Sequence, residues 1–214
     1  MKLTTMTQIT IDGVMQGNGG ASEEDRRNGF ERGGWATGKG DRETHAFINQ
    51  TFQRAEAFLL GRRTYELFAG VWGALTEADV PGWEPVMRAL KAQPKYVAST
   101  KLTNPAWSNT TVLSGDVAAA IRELKARPGG ELQVHGSGAL IRWLLNNQLV
   151  DEMTLILVPI IVGQGARLFP ETGPDLALDL VDSRVDSNGV TIQVLRPAGR
   201  PHYAPVEAPR HLGR

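Results

Sequence analysis

The chain has 214 residues, 41% of them hydrophobic, and its 23 basic and 23 acidic side chains give a formal net charge of zero. This length and composition allow one domain with a substantial core and exclude bulk disorder. Zero net charge gives no overall attraction to nucleic acid or to an anionic membrane. Because the chain has no cysteine, disulfides, thiolate nucleophiles and cysteine-ligated zinc are also excluded.

The sequence shows no apolar stretch of the kind that targets or spans membranes. Its first residues lack the long apolar region of a signal peptide, and no apolar run approaches the roughly 20 residues needed to cross a bilayer. We therefore expect a soluble, cytoplasmic protein that acts on a small molecule. We expect no nucleic-acid partner, no membrane partner and no bound metal.

Strands and helices are predicted to alternate along most of the chain. A strand over residues 3–11 precedes residues 16–40, a segment rich in glycine and charge that is predicted to be an irregular, functional loop. Asp41 is then the predicted N-cap of a helix. Further strands are predicted over residues 57–60, 95–99, 111–113, 132–135 and 152–162, and further helices over residues 64–71, 83–92, 117–126 and 139–146.

The C-terminal part of the pattern changes to consecutive strands. Asn188-Gly189 separates two apolar runs, residues 176–185 and 190–195, which is a strong hairpin signal. The sequence thus predicts an α/β fold with a mostly parallel central sheet and an antiparallel C-terminal hairpin. Residues 1–197 are predicted to form one domain, and residues 198–214 to form a flexible tail.

Two glycine-rich turns follow predicted strands and open predicted helices. In the first, Gly61-Arg62-Arg63-Thr64, free backbone N–H groups, a hydroxyl and a guanidinium could bind a phosphate. A plain turn with two solvated arginines explains these residues about as well. The second turn comes much later in the chain, and two such turns on one sheet could hold a long, charged cofactor.

The second turn is His135-Gly136-Ser137-Gly138, whose small residues allow a backbone to approach a pyrophosphate closely. Ile141 stands where the third glycine of the dinucleotide-binding fingerprint belongs, so the turn is not a Rossmann signature. We interpret His135 as structural rather than catalytic. A hydrolase that uses Ser137 and His135 is a weaker hypothesis, because their closeness in sequence makes a productive hydrogen bond awkward.

Two further groups carry possible chemistry. Ser99, Thr100 and Lys101 end a predicted strand, where ligands of open α/β sheets bind, and could hold a ribose phosphate. An ordinary polar strand end is the alternative. Asp41 and Glu43 lie at a helix start after the long loop. Either carboxylate could acquire a raised pKa and transfer a proton, although most acids at such positions are helix caps.

Taken together, the sequence resembles the dihydrofolate reductase-like superfamily, and within it the reductase half of the bacterial riboflavin-biosynthesis deaminase–reductase and its stand-alone relatives. The resemblance is carried, in the family's order, by Ile11-Asp12-Gly13, Leu60–Glu66, Val134–Ser137, Leu149–Glu152 and Pro159–Phe169. It implies a three-layer fold that binds NADPH in an extended form. Because the sequence has no cysteine, we do not expect it to contain the cysteine-based zinc motif of the deaminase half, and folate is not implied as the substrate.

The resemblance also assigns site residues. The cofactor would contact Gly61, Arg62, Arg63, Thr64, Ser99, Thr100, Lys101, Gly136, Ser137 and Gly138. Arg62, with Arg63 or Lys101, would favour a 2′-phosphate and hence NADPH over NADH. The substrate contacts are our own hypothesis and not part of the resemblance: the substrate would contact Asp12, Trp35 and Phe169, with Trp35 stacking on a flat ring as residues 13–40 close over it. In the same hypothesis, Asp41 or Glu43 would be the catalytic acid, although both lie only near the position of the acid in dihydrofolate reductases.

The leading hypothesis is therefore an NADPH-dependent reductase that transfers hydride to a small heterocyclic or carbonyl compound, in a metabolism related to riboflavin. The alternative is a non-catalytic module that retains a nucleotide or small ligand on the same fold. A homodimer is expected. Residues 158–162 could form its interface, although a core strand explains their apolar character equally well.

Overall fold

A computed structural model of the protein describes residues 1–204. Eight strands form a single sheet in the order β4-β3-β2-β5-β1-β6-β8-β7. The strands are β1 (Lys2–Thr10), β2 (Ala55–Gly61), β3 (Lys95–Ala98), β4 (Thr110–Leu113), β5 (Glu131–His135), β6 (Glu152–Val158), β7 (Leu178–Val185) and β8 (Thr191–Pro197). The helices are α1 (Glu23–Arg27), α2 (Arg42–Gln53), α3 (Arg62–Val71), α4 (Glu84–Ala92), α5 (Val117–Ala126) and α6 (Gly138–Asn146), with a short 3₁₀ helix at Glu77–Asp79.

The sheet is parallel from β4 to β6 and antiparallel at its other end. Neighbouring strands pair in parallel through β4, β3, β2, β5, β1 and β6. Strand β8 runs antiparallel to β6, and β7 runs antiparallel to β8. The predicted α/β fold with its C-terminal antiparallel hairpin is therefore confirmed.

Helices cover the sheet on both sides, and the alternation of side chains along β2 explains why. Leu59 joins a core with residues of α5 and α6 on one side. Phe58 and Leu60 join a second core with residues of α2 and α4 on the other side. Because successive side chains of a strand point to opposite faces, a strand buried on both faces is a continuous apolar run. This arrangement gives the three layers of the fold.

The structure differs from the sequence prediction at two loops. The segment predicted to be irregular contains α1, which begins after Ser22 in a capping box with Asp25. Strand β6 ends at Val158, four residues earlier than predicted, and Pro159 follows it without a backbone N–H to donate. Val158 and Val162 are both buried in a third apolar cluster, so core packing accounts for these two side chains, whereas Ile161 between them is 72% exposed.

The chain continues in an ordered path just beyond β8. Ala198 donates a backbone hydrogen bond to Ala177, and Ala177 donates one to Gly199. The predicted flexible tail, residues 198–214, therefore begins with paired residues, and residues 205–214 lie outside the part that the structure describes. Within residues 1–204, no helix is both long enough and apolar enough to cross a bilayer.

Candidate functional site

A cleft of about 1290 Å³ opens at the carboxyl ends of β2, β3 and β5. Parallel strands all end at the same edge, so residues that are distant in sequence meet there. Every predicted cofactor-binding residue except Gly136 lines this one cleft: Gly61, Arg62, Arg63, Thr64, Ser99, Thr100, Lys101, Ser137 and Gly138. The structure thus brings together the two glycine turns and the polar end of β3.

A direct hydrogen bond joins the two turns. The backbone N–H of Gly61 donates to Ser137 Oγ over 3.0 Å, across 76 residues of sequence. A Cβ atom at position 61 would lie 3.4 Å from Ser137 Oγ, at the close limit of ordinary van der Waals contact. The two turns therefore pack directly against each other at this bond.

Both turns start helices whose first N–H groups have no side-chain cap. Neither Gly61, the N-cap of α3, nor Ser137, the N-cap of α6, caps its helix with a side-chain hydrogen bond. Ser137 has a left-handed backbone with φ of 56°, and its hydroxyl bonds to the other turn. Such helix N-termini attract anions because their N–H groups and dipoles present partial positive charge.

Gly136 lies just behind this wall of the cleft. Its φ is +59°, a conformation that side chains rarely adopt. A Cβ atom there would lie 3.4 Å from Cγ2 of Thr64, so the missing side chain lets the second turn pack against α3. Gly136 contributes to the cleft by shaping it and is not part of its lining.

The arginines of the first turn already have partners. Nη1 of Arg62 donates to both carboxylate oxygens of Glu66, one helical turn along α3, over 2.8 Å each. Arg63 pairs with Glu24 of α1, which also lines the cleft. Lys101 has no carboxylate partner among residues 1–204. Lys101 is therefore the cleft cation most available to an anionic ligand.

Ser99 shapes the turn that carries Lys101. Its hydroxyl accepts the backbone N–H groups of Lys101 and Leu102, each over 3.0 Å. These bonds end β3 and leave the side chains of Thr100 and Lys101 exposed at the cleft.

Asp41 and Glu43 lie outside the residues that line the cleft. The Asp41 carboxylate caps α2 by accepting the N–H groups of Glu43 at 2.7 Å and Thr44 at 3.3 Å. It also accepts the Ser187 hydroxyl at 2.6 Å and the Ser187 N–H at 2.9 Å. The Ser187 hydroxyl and the backbone donors lower the pKa of Asp41 to about 2, the opposite of the shift that a proton donor needs. The geometry favours an anchoring role.

Asp186 completes this anchor, although only its place in a turn could be predicted from the sequence. Its carboxylate accepts the N–H of Asp41 at 2.9 Å and the hydroxyl of Thr44 at 2.7 Å. Its other oxygen accepts the N–H groups of Asn188 and Val190 within its own turn. Burial raises the pKa of Asp186, but these hydrogen bonds outweigh it and hold the pKa below its usual value. Two carboxylates thus join α2 to the β7–β8 hairpin.

The predicted substrate residues also lie away from the cleft lining. Asp12 accepts the Thr10 hydroxyl at 2.6 Å and the N–H groups of Val162 and Gly163, and these bonds, led by Thr10, lower its pKa to about 2. It therefore holds the loop after β6.

Trp35 and Phe169 occupy different environments from the one expected. Trp35 is only 6% exposed, donates its indole N–H to the carbonyl of Gln16 and packs with Val14 and Phe30. In this position it anchors the loop and has no free face for a substrate ring. Phe169 is 44% exposed but does not line the cleft.

His135 is structural in this fold, as the sequence indicated. It is 4% exposed, stacks on Phe52 with ring centroids 4.1 Å apart, and shares a 2.9 Å hydrogen bond with Gln133. Burial lowers its pKa to about 3, so the ring is neutral. Among the described residues, the His135 ring bonds to Gln133 and makes no hydrogen bond with Ser137, so the nucleophile–base pair of a hydrolase is not formed.

Sequence reasoning missed three residues at the α6 end of the cleft. Met15 packs so closely that a Cβ atom on Gly138 would lie 2.4 Å from its sulfur. Arg142 donates to the carbonyls of Leu168 at 3.0 Å and Arg167 at 3.3 Å. Arg142 lies four residues after Gly138, the helical spacing that returns a side chain to the same face, and this was the available signal. Met15 and Arg167 had no comparable signal in the sequence, because their positions depend on how the loops pack.

Residues 1–192 match the family described as the RibD C-terminal domain. The chain belongs to the RibD C-terminal domain family. A protein of Bacillus subtilis strain 168, described as uncharacterized protein YyaP, is 26% identical over 184 residues, which cover 85% of this chain and 87% of the relative. Membership of the RibD C-terminal family indicates a reductase-type activity.

Two solved structures share the fold. A putative riboflavin biosynthesis protein from Shewanella superposes with a TM-score of 0.68 at 20% identity, over 92% of this chain and 99% of the other. A pyrimidine reductase-like protein from Corynebacterium diphtheriae superposes with a TM-score of 0.58 at 14% identity, over 92% and 91% of the two chains. At these identities the superpositions establish the fold alone.

Proposed function

We propose that this member of the RibD C-terminal family is an NADPH-dependent reductase of small heterocyclic or carbonyl compounds. The observation that carries the proposal is the pair of uncapped helix N-termini, those of α3 and α6, held at one cleft by the Gly61–Ser137 hydrogen bond. Two anion-attracting ends at a fixed spacing suit a dinucleotide, whose linked phosphates need more than one site. The family and the riboflavin-related relatives support the same reading.

The residues of the cleft fit the phosphate part of such a cofactor. At Gly61 the missing Cβ leaves the backbone open at the start of α3, and the Thr64 hydroxyl stands one turn further on the same cleft. Gly138 opens α6 without a side chain of its own. NADPH, when bound, would supply the hydride for reduction of a C=N, C=C or C=O bond. The protein would orient it and exclude water.

In this proposal, the turn after β3 binds the adenosine end of the cofactor. Ser99 and Thr100 would lie along the ribose, and the unpaired Lys101 would meet the 2′-phosphate that distinguishes NADPH from NADH. Arg62 and Arg63 would contribute after partial exchange of their present partners, Glu66 and Glu24. A cytoplasmic location and a homodimeric state are parts of the same proposal.

One observation favours a second candidate, a non-catalytic module that binds a nucleotide in the same cleft. Neither Asp41 nor Glu43, the acids expected to transfer a proton, lines the cleft. A module of this kind would bind NADPH and turn over no acceptor. Steady-state NADPH oxidation with a panel of carbonyl and heterocyclic compounds separates the two candidates.

The cofactor proposal is tested by fluorescence titration with NADPH and NADH. Wild type is expected to prefer NADPH, and Arg62→Ala is expected to weaken NADPH binding by about 1–3 kcal/mol through loss of a charge-assisted contact. Arg88→Ala is the matched control, because Arg88 also forms an exposed pair, with Glu77, but does not line the cleft. Equal binding of both nucleotides, or equal losses in both variants, would contradict the assignment.

A further inference from the structure

Among residues 1–204, Trp143 is the only aromatic side chain that lines the cleft. It lies on α6, four residues after Ala139 and three after Leu140, and both of these residues line the cleft as well. Residues at these spacings share one face of a helix. The face of α6 that begins at the second glycine turn therefore carries an indole ring along the cleft.

The protein does not use this ring for its own packing. The other four tryptophans, Trp35, Trp72, Trp83 and Trp107, each belong to an apolar cluster of the core. Trp143 is in none of the three clusters, pairs with no aromatic ring within residues 1–204 and is 36% exposed. A large apolar ring left in water forgoes the stabilisation that its burial would provide, so a ligand that covers it gains that burial.

The cleft around this ring has an apolar section. We use this term for the lining residues Leu113, Val117, Ala118, Leu140 and Trp143, which come from the end of β4, the start of α5 and α6. Helices α5 and α6 pack on the same side of the sheet. The ring and the aliphatic side chains together can enclose a flat, weakly polar group.

The apolar section adjoins the turn to which the cofactor ribose is assigned. The backbone N–H of Ser99 donates to the carbonyl of Leu113 over 3.2 Å, so the end of β3 and the apolar section are in direct contact. In a nucleotide the base is attached directly to the ribose. A ribose along Ser99 and Thr100 therefore has its base within reach of the apolar section.

We infer that Trp143 stacks on the purine base of the bound nucleotide and sets the affinity of the cleft for adenine nucleotides. This assignment rests on the proposed function, since it places the base of the proposed NADPH. Every base has a π-face, and stacking on an aromatic side chain needs no hydrogen-bond partner on the base. The reacting nicotinamide then lies at the other end of the cleft, because the pyrophosphate separates the two rings.

A small ligand fits Trp143 better than a protein partner does. The ring belongs to the lining of a concave site. The next exposed residue of α6 is Asn146, so along this helix no apolar patch continues from Trp143. Surfaces that bind other proteins present contiguous apolar patches instead.

The experiment measures the binding of adenosine 2′,5′-bisphosphate by calorimetry, because this probe has the base, the ribose and the 2′-phosphate without the nicotinamide. Trp143→Ala is expected to bind it about 5- to 100-fold more weakly than wild type, the range that base–aromatic stacking provides. Trp143→Phe keeps an aromatic face and should bind within about threefold of wild type. Asn146→Ala, at an exposed position of the same helix outside the cleft lining, is the matched control and should bind like wild type.

Tryptophan fluorescence gives a second readout that a purely structural role would not change. Among the described residues, Trp143 is the one tryptophan of the five that lines the cleft, so stacking of the base on it should quench the emission of wild type. Trp143→Phe should bind the same probe with almost no quench. This variant also decides the matter if circular dichroism shows that Trp143→Ala does not fold.

The outcomes separate the base site from the reductase. Equal affinities of wild type and folded Trp143→Ala, or a full quench in Trp143→Phe, overturn the inference and leave the cofactor proposal intact. If wild type binds the bisphosphate through Trp143 but NADPH reduces no acceptor, the reductase proposal fails and the base site stands. Failure of wild type to bind either the bisphosphate or NADPH overturns both.

Discussion

At the scale of single residues, Ser137 has a strained, left-handed backbone and a hydroxyl that bonds to the other glycine turn. The geometry of the cleft depends on both properties. A left-handed conformation is unfavourable for any residue with a Cβ atom, by roughly 1–2 kcal/mol. The bond from Gly61 N–H to the Ser137 hydroxyl offsets part of that cost. Strained positions supported by their surroundings are typical of functional sites.

Replacement of Ser137 separates these two contributions. Ser137→Ala loses the hydroxyl and keeps the strain, so we expect a loss of about 0.5–1.5 kcal/mol in the free energy of unfolding. Ser137→Gly also loses the hydroxyl but relieves the strain, so its loss should be smaller. Both variants should bind NADPH more weakly, because the two turns are no longer linked. Urea unfolding and NADPH titration measure the effects, and an unchanged affinity in both variants would contradict the role given to the bond.

Lys95 is a second residue whose environment leads to a prediction, here on how stability depends on pH. Its side chain is fully buried, donates to the carbonyls of Gln93 and Ser108, and lies 4.7 Å from the Trp107 ring centroid. Burial lowers its pKa from 10.5 to about 8. Between these values the unfolded chain binds more protons than the folded protein, so this group makes stability rise as pH increases from about 8 to about 10.5.

The Lys95 prediction is measured by urea unfolding at several pH values within that window. Lys95→Met keeps the aliphatic stem and removes the titrating amine, so the variant should lose the part of the pH slope that wild type owes to Lys95. Identical slopes in the two proteins would show that the buried amine does not titrate in this range.

At the scale of elements, two carboxylates connect α2 to the β7–β8 hairpin. Asp41 caps α2 and accepts from Ser187, while Asp186 accepts from the Asp41 N–H and from Thr44. The joint connects a helix that follows the long loop to a turn near the end of the chain. Its carboxylates must be ionised to accept so many bonds, in keeping with their lowered pKa values.

Asp41→Ala distinguishes an anchor from a proton donor. An anchor predicts a clear fall in the urea midpoint, through loss of the cap and of the bond to Ser187, with kcat unchanged for any substrate found. If Asp41 is instead a proton donor, kcat should fall and the urea midpoint should stay unchanged. Gln50→Ala, at an exposed position of the same helix, is the control and should change neither quantity. The Asp41 pKa near 2 also predicts that this contribution to stability is lost as pH falls from about 4 towards 2.

The elements show what the sequence could predict and what it could not. Local patterns were sufficient for the strands, the Asn-Gly hairpin and the two glycine turns, because these depend on neighbours in sequence. The same patterns also predicted the N-cap role of Asp41. They could not predict the contact of Trp35 with Gln16 or that of Asp41 with Ser187, because these contacts are fixed by how loops pack on the finished sheet.

At the scale of the whole molecule, the lining of the cleft comes from distant parts of the chain. It includes the starts of α3 and α6 and residues of α1. Helix α1 buries none of its own side chains, and the Glu24–Arg63 ion pair joins it to α3. The Glu24 carboxylate is therefore paired with the Arg63 guanidinium, with which a phosphate of the ligand would otherwise pair.

Glu24→Gln tests this competition. Removing the carboxylate charge should strengthen NADPH binding at low salt by up to about fivefold, the range expected for an exposed ion pair, and the gain should shrink at high salt. Glu23→Gln is the control, since Glu23 also lines the cleft but forms no ion pair within residues 1–204. The same gain in both variants would point to a general charge effect and not to the pair.

The strand order has a consequence for how the protein matures. Strand β5 lies between β2 and β1 although it is made long after both, so the early strands have no common neighbour until it inserts. Contacts this far apart in sequence form slowly. The cleft is therefore completed late in folding. Binding of the proposed nucleotide should appear only in the slowest refolding phase. A nucleotide that binds only the folded chain would stabilise that state and not the intermediates that precede it.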